Sequence, residues 1–141
     1  MPISVAKGKP KAVASPKLRC SLCRVPSLRD NSPSTAGEIE IANDSLDTIE
    51  ISHRGTILLH LNLVVRDGNG EVVSDGHYGN LFSPTRDSEI FHLLPGQAFR
   101  ERVALFATVP PGKLKPGNYR VAAVFEAGGQ RVASSEIEVI V

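Results

Sequence analysis

The sequence predicts an all-β sandwich of seven to eight antiparallel strands, preceded by an extended basic arm. Three observations carry this reading. From Gly37 onward, apolar residues recur at every second position in one short segment after another. Clusters of Gly, Pro, Asn and Asp separate those segments at short intervals. No segment carries the 3.6-residue period of an amphipathic helix. An open eight-stranded barrel is the alternative, but unequal strand lengths and irregular spacing favour the sandwich.

Residues 1–36 read as the arm, and residues 37–141 as the body. Pro2, Pro10, Pro16, Pro26 and Pro33 punctuate the arm, so no helix can run far. Its apolar residues suggest neither a helical nor a strand period, and alone it should be disordered or extended. Up to Arg29 it holds Lys7, Lys9, Lys11, Lys17, Arg19, Arg24 and Arg29 and no acid. The rest of the chain has an acidic excess, so a basic arm sits on a mildly acidic body. The seven cations are candidate partner-binding residues. The arm has no apolar run of secretory length, and no stretch approaches the roughly 20 apolar residues of a membrane span. The expected location is intracellular, in the cytoplasm, or on a virion if the protein decorates a capsid.

The strands follow in order. In GEIEIAN, Ile39 and Ile41 alternate with Glu38 and Glu40, and DTIEIS repeats the pattern with Ile49 and Ile51. TILLHLNLVVRD predicts one strand of about ten residues, with Ile57, Leu59, Leu61, Leu63 and Val65 on one face. DGNG at 67–70 predicts a tight turn and EVVS the returning strand. Residues 75–87 read as a long connection, and SEIFHL as a short strand. LPGQ at 94–97 places Pro second and Gly third, the type II pattern. AFRERVALFATV turns Phe99, Val103 and Leu105 inward together with Glu101, so a bulge or a sheet edge is expected there. NYRVAAVFEA alternates through Tyr119, Val121, Ala123 and Phe125. In RVASSEIEVIV, Val132 has the opposite parity to Ile137, Val139 and Val141, which predicts an irregularity at Ser134–Ser135.

Chemistry-bearing patterns are few. Cys20 and Cys23 are the only cysteines. Such a pair suggests half of a zinc site, a redox pair, or two thiols without dedicated chemistry. Zinc needs four ligands, and His53, His60, His77 and His92 show no H-x3–5-H spacing. The redox reading lacks a βαβ context, although Arg19 and Arg24 would favour a thiolate. DGNGE fails as a calcium loop, because the twelfth position from Asp67 is Tyr78, which supplies no bidentate carboxylate. Phosphate-loop, nucleophile-elbow and zincin motifs are absent. No cofactor is expected beyond a possible zinc, and the chain reads as non-enzymatic.

LKPGNYRVAAVF, residues 114–125, resembles the corner leading into the penultimate strand of immunoglobulin-like and fibronectin type III-like domains. The resemblance implies an immunoglobulin-like sandwich in which the Tyr119 hydroxyl bonds back to upstream backbone; Leu114 and Gly117 are structural residues of the same motif, and the role is carried over to Tyr119 only. Asn43-Asp44-Ser45, RDGNGEVV at 66–73 and LLPGQ at 93–97 look like bacterial members used as interaction modules or as intracellular proteinase inhibitors. The chain lacks the Trp and the inter-sheet cysteines of antibody domains.

Two functions from different classes follow. The first is a structural or accessory subunit that docks onto a larger protein assembly through its arm. The second is a protease inhibitor-like module acting through loop 75–87 or 109–117, with a zinc- or redox-linked protein as a third reading. Seven cations without interleaved aromatics would also give unspecific, salt-sensitive contacts to nucleic acid phosphates.

Overall fold

The computed structural model describes residues 17–25, 35–54, 56–78, 88–127 and 129–141. Among the described residues the strands are β1 (Leu18–Arg24), β2 (Ala36–Asn43), β3 (Ile49–His53), β4 (Leu61–Arg66), β5 (Val72–His77), β6 (Glu89–Leu93), β7 (Ala98–Ala104), β8 (Asn118–Ala127), β9 (Gln130–Ala133) and β10 (Ile137–Ile140). All pairings are antiparallel. One sheet runs β1-β2-β7 and a second runs β10-β8-β4-β5, with β9 also on β8; β3 and β6 form a two-stranded third. Among the described residues, no helix is long and apolar enough to cross a membrane.

Alternation explains the layering. Ile39 and Ile41 of β2, Leu61, Leu63 and Val65 of β4, and Val121, Ala123 and Phe125 of β8 are all essentially inaccessible. They belong to one contiguous core shared by the sheets. Each fully buried side chain of this size contributes about 1.5–3 kcal/mol.

β2–β3 and β6–β7 together form one long ribbon that breaks in the middle. β2 pairs with β7 and β3 with β6, and the break falls at 44–48 opposite 94–97. Asn43, wholly buried, sits at this break. Its Nδ2 donates to the carbonyls of Asp47 (2.7 Å) and Leu93 (2.8 Å). Its Oδ1 accepts from the Ser45 amide (2.9 Å) and hydroxyl (2.7 Å). The backbone adds Asn43 N–H to Gln97 and Gly96 N–H to Asn43, both 2.9 Å. Both side-chain donor protons and both acceptor sites are therefore used. Opposite, the Gln97 amide donates to the Leu94 carbonyl at 2.9 Å and Gly96 takes φ 79°, as the type II turn requires.

The irregularity near Ser134 is a bulge. Phe125 faces Val132 and Tyr119 faces Val139, so seven steps on the outer strand oppose six on β8. The Ser134 hydroxyl accepts the Ala123 amide at 2.9 Å, supplying the bond that the shift removes. Both Val132 and Val139 thereby face the core. Glu101 is exposed on β7, a strand at the edge of its sheet.

Three expectations change. Ten strands stand among the described residues, where seven to eight were expected. Residues 18–24, assigned above to an arm ending at 36, form β1 in register with β2 from Leu18↔Asn43 to Arg24↔Gly37. Leu18, Cys20 and Leu22 point into the core. Their alternation is present in the sequence but hidden among prolines and cations. The ten-residue strand at 57–66 is also shorter, because Ile57–His60 form a 3-10 turn ahead of β4. Ile57 and Leu58 are both buried, and the alternating burial of β4 begins only at Leu61. The Thr56 hydroxyl accepts the Leu58 amide at 3.1 Å and starts the turn.

Replacing Asn43 with Ala is expected to cost about 3 kcal/mol, since it strands the carbonyls of Asp47 and Leu93. Asn43→Asp should cost at least as much, because a carboxylate then faces those carbonyls. Urea midpoints at constant m-value measure both.

Candidate functional site

Five of the residues singled out by sequence, Lys17, Arg19, Cys20, Cys23 and Arg24, lie on β1 or just before it. The Gln130 Oε1 accepts the amides of Lys17 (2.9 Å) and Leu18 (3.0 Å), tying the start of β1 to the β8–β9 turn. The Lys17 carbonyl accepts the Asp44 amide at 2.9 Å. The strand thus enters the fold beside the turn organised by Asn43.

The basic residues divide into two groups. Lys17 pairs with Asp47 at 3.6 Å. Arg19 donates to Asp44 at 2.9 Å and to Glu40 at 3.2 Å, and Arg100 holds the same Glu40 at 2.6 Å. The hydrogen bond to Asp44, followed by that to Glu40, raises the Arg19 pKa further above its ordinary value. Exposed pairs of this kind add little to stability because water screens them, but they commit the charges of Lys17 and Arg19 to the body. Arg24 is exposed at the end of β1. Lys7, Lys9, Lys11 and Arg29 lie outside the described residues.

The cysteines do not form a shared site. Three steps along a strand put two side chains on opposite faces. Cys20 is buried, its Sγ 4.0 Å from the Ala123 carbonyl, whereas Cys23 is exposed. Zinc ligation or a disulfide between them would require β1 to leave the sheet, so the paired metal and redox readings are withdrawn. Among the described residues, no group of three or more His, Cys, Asp or Glu side chains is arranged to hold a metal ion. Burial pushes the Cys20 pKa from 9.0 up to about 11, so this thiol stays protonated and inert at neutral pH.

The corner residues sit as follows. The Tyr119 hydroxyl accepts the Lys115 amide at 2.9 Å and donates to the Lys115 carbonyl at 2.8 Å. Its ring meets Phe106 edge-on at 5.5 Å. Leu114 packs against the core. Gly117 exchanges two backbone bonds with Val141, at 2.9 and 2.8 Å, which closes the C-terminal end. Of the candidate loops, residues 75–77 belong to β5, and 79–87 lie outside the described residues. Loop 109–117 is exposed over 110–113 and tied down by the Lys115 and Gly117 bonds.

His60 and His77 serve as struts. His60 Nε2 meets the Ser52 carbonyl at 2.7 Å, and its ring lies edge-on to Phe125 at 6.1 Å. His77 Nδ1 bonds Asn62 Oδ1. Both rings line a concavity of about 270 Å3 with Leu59, Asn62, Val124, Glu126 and Arg131. No hydroxyl or thiol side chain stands among these residues to act as a nucleophile. His92 lies 3.5 Å from Glu50 on the surface, and His53 Nδ1 is buried without a hydrogen-bond partner. No protein-family model matches the chain, and no curated protein matches it.

Sequence reasoning missed Asn43 and Gln130 as organising residues. Asn43 is legible only as a turn residue, because one of its partners, Leu93, is 50 positions away. Gln130 reaches across 112 positions to Leu18.

With a thiol reagent near pH 8, native protein should titrate one thiol per chain, Cys23, and two in denaturant. Raising the pH should then weaken the fold between pH 9 and 11. The folded state holds its Cys20 proton to the higher value, whereas the unfolded chain releases it at the lower. Cys20→Ala should remove that alkaline loss in a pH series of urea melts.

Proposed function

We propose that the protein is a non-enzymatic accessory subunit: an immunoglobulin-like sandwich fastened to a larger protein assembly by its N-terminal segment. The carrying observation is how that segment is rooted. β1 is held by its ladder to β2, by three core side chains and by Gln130. Lys17 and Arg19 are spent on Asp47, Asp44 and Glu40. The charge left for a partner is that of Lys7, Lys9 and Lys11, which stand without any acid, together with Arg24 and Arg29. A rooted strand carrying a basic leader suits a contact with an acidic protein surface, with electrostatics setting orientation and on-rate.

A second reading is favoured by a separate observation. Asn43, Asp44 and Ser45 and the LLPGQ turn, two of the stretches resembling bacterial inhibitor-type modules, meet in one hydrogen-bonded node. An inhibitor-like module would use loop 109–117, which is exposed yet pinned at its C-terminal end.

Removing residues 1–16 should leave the thermal melt unchanged and abolish association with the native assembly, read by native mass spectrometry of material from the natural source. Removing residues 1–30 should lower Tm as well, because it deletes β1. Unchanged association of the shorter variant would refute the tether, and protease inhibition that survives the deletion would favour the inhibitor reading.

A further inference from the structure

β1 lies at the edge of its sheet, and part of that edge is open among the described residues. The Lys17 carbonyl and the Val25 amide bond toward β2, at 2.9 Å each, whereas the Leu18 amide points the other way, to Gln130. Backbone direction alternates along an antiparallel strand. The amides and carbonyls of Cys20, Leu22 and Arg24 therefore face away from β2, and among the described residues no strand pairs with them.

Sheet edges are normally guarded by charge, bulges or cover. β7 carries Arg100-Glu101-Arg102, and pairing with its own copy about Glu101 would set Arg100 against Arg102. The β9–β10 edge is broken by the Ser134 bulge and carries Glu136 and Glu138. β5 is overlain by the turn after β7. Ser74 Oγ donates to the Thr108 carbonyl at 2.9 Å, and a Cβ on Gly76 would stand 2.4 Å from Thr108 Cβ. β1 is guarded only at its ends, by Gln130 on the Leu18 amide and by the charges of Arg19 and Arg24, and the backbone of Cys20 and Leu22 between them is left uncovered among the described residues. It runs seven residues without a register shift, and its inward side chains are Leu18, Cys20 and Leu22.

We infer that β1 is a self-association edge: two copies pair β1 antiparallel to β1 about a two-fold axis at Ser21, joining two three-stranded sheets into one of six. In this register Cys20 lies opposite Leu22 of the second copy and exchanges backbone bonds with it. Arg19 faces Cys23, and Arg24 faces Leu18. No like charges oppose each other, which distinguishes this edge from β7 and makes an identical strand its fitting partner. Closed two-fold pairing is also the commonest way for a surface to complement itself. The inference stands apart from the tether, because it requires nothing before Lys17.

The test uses the full chain. Wild type should sediment at twice the chain mass in a concentration-dependent way. Ser21 of the two copies would form a non-hydrogen-bonded pair with Cα atoms about 4.5 Å apart, within disulfide reach. Ser21→Cys in a Cys23→Ser background should therefore give a disulfide-linked dimer on mild oxidation. Ser21→Glu and Ser21→Lys, each with a wild-type melt, should each dimerise up to about fivefold more weakly, and their equimolar mixture should recover association as a heterodimer. A chain that stays monomeric and uncrosslinked at every concentration overturns the inference. So does a dimer that Ser21→Cys fails to trap, or a β1 edge engaged only by a strand of another protein.

Discussion

A buried amide holds the two halves of the structure together. The β2–β3 and β6–β7 paths would form one straight ribbon if nothing interrupted them, and a straight ribbon would not follow the core. The five-residue excursion at 44–48 breaks the ladder there, leaving backbone groups in need of partners. Asn43 meets that need with a primary amide, the one side-chain group that offers two donor protons and two acceptor sites in a single plane. Above the break, Ile39 and Ile41 face the core; below it, Ile49, Ile51 and Leu93 do so as well. A carboxylate lacks the donors and an aliphatic chain lacks both functions, so few residues could hold the bend. Because every polar atom is satisfied, the node also favours one geometry over its alternatives.

β8 plays the complementary part in the other sheet. It is flanked by β4 on one side and by β9 and β10 on the other, and four of its residues fill the centre of the core. The Tyr119 hydroxyl and the Ser134 hydroxyl each complete the backbone where a chain enters or shifts along this strand. The same principle holds at Asn43, Tyr119, Ser134 and Gln130. A polar side chain stands in for a missing ladder bond, and the apolar alternation continues undisturbed on either side.

Much of this architecture is readable from residues alone. Every segment with period-two alternation from Gly37 onward contains a strand, because that period has physical meaning only on a pleated surface. The parity reversal between Val132 and Val139 announces the bulge before any coordinates do, and Glu101 announces an edge. What escapes is of two kinds. β1 escapes because five prolines and seven cations dominate the composition of its surroundings, although Leu18, Cys20 and Leu22 alternate as well as any later segment. The turn at 57–60 escapes because its residues continue the parity of β4, and what starts it is one hydrogen bond from the Leu58 amide to the Thr56 hydroxyl. The Asn43 and Gln130 contacts escape for a deeper reason. A residue whose bonds reach 50 or 112 positions away leaves no local trace. For the candidate site, the sequence names the cations and the thiols but not their division. Which charges are internally paired, and which thiol is sheltered, depends on the face of the strand that each occupies.

The attachment of β1 has a mechanical consequence. Its ladder to β2 runs parallel to the chain direction at Lys17, and Gln130 clamps the first two amides from the opposite side. A pull on the leader along the strand axis would load all the β1–β2 bonds at once, in shear, along with the burial of three apolar side chains. A pull across the strand would break those bonds one after another. The same seven residues would therefore resist an axial load far better than a peeling one, and the direction of traction, more than its size, would decide when the strand lets go.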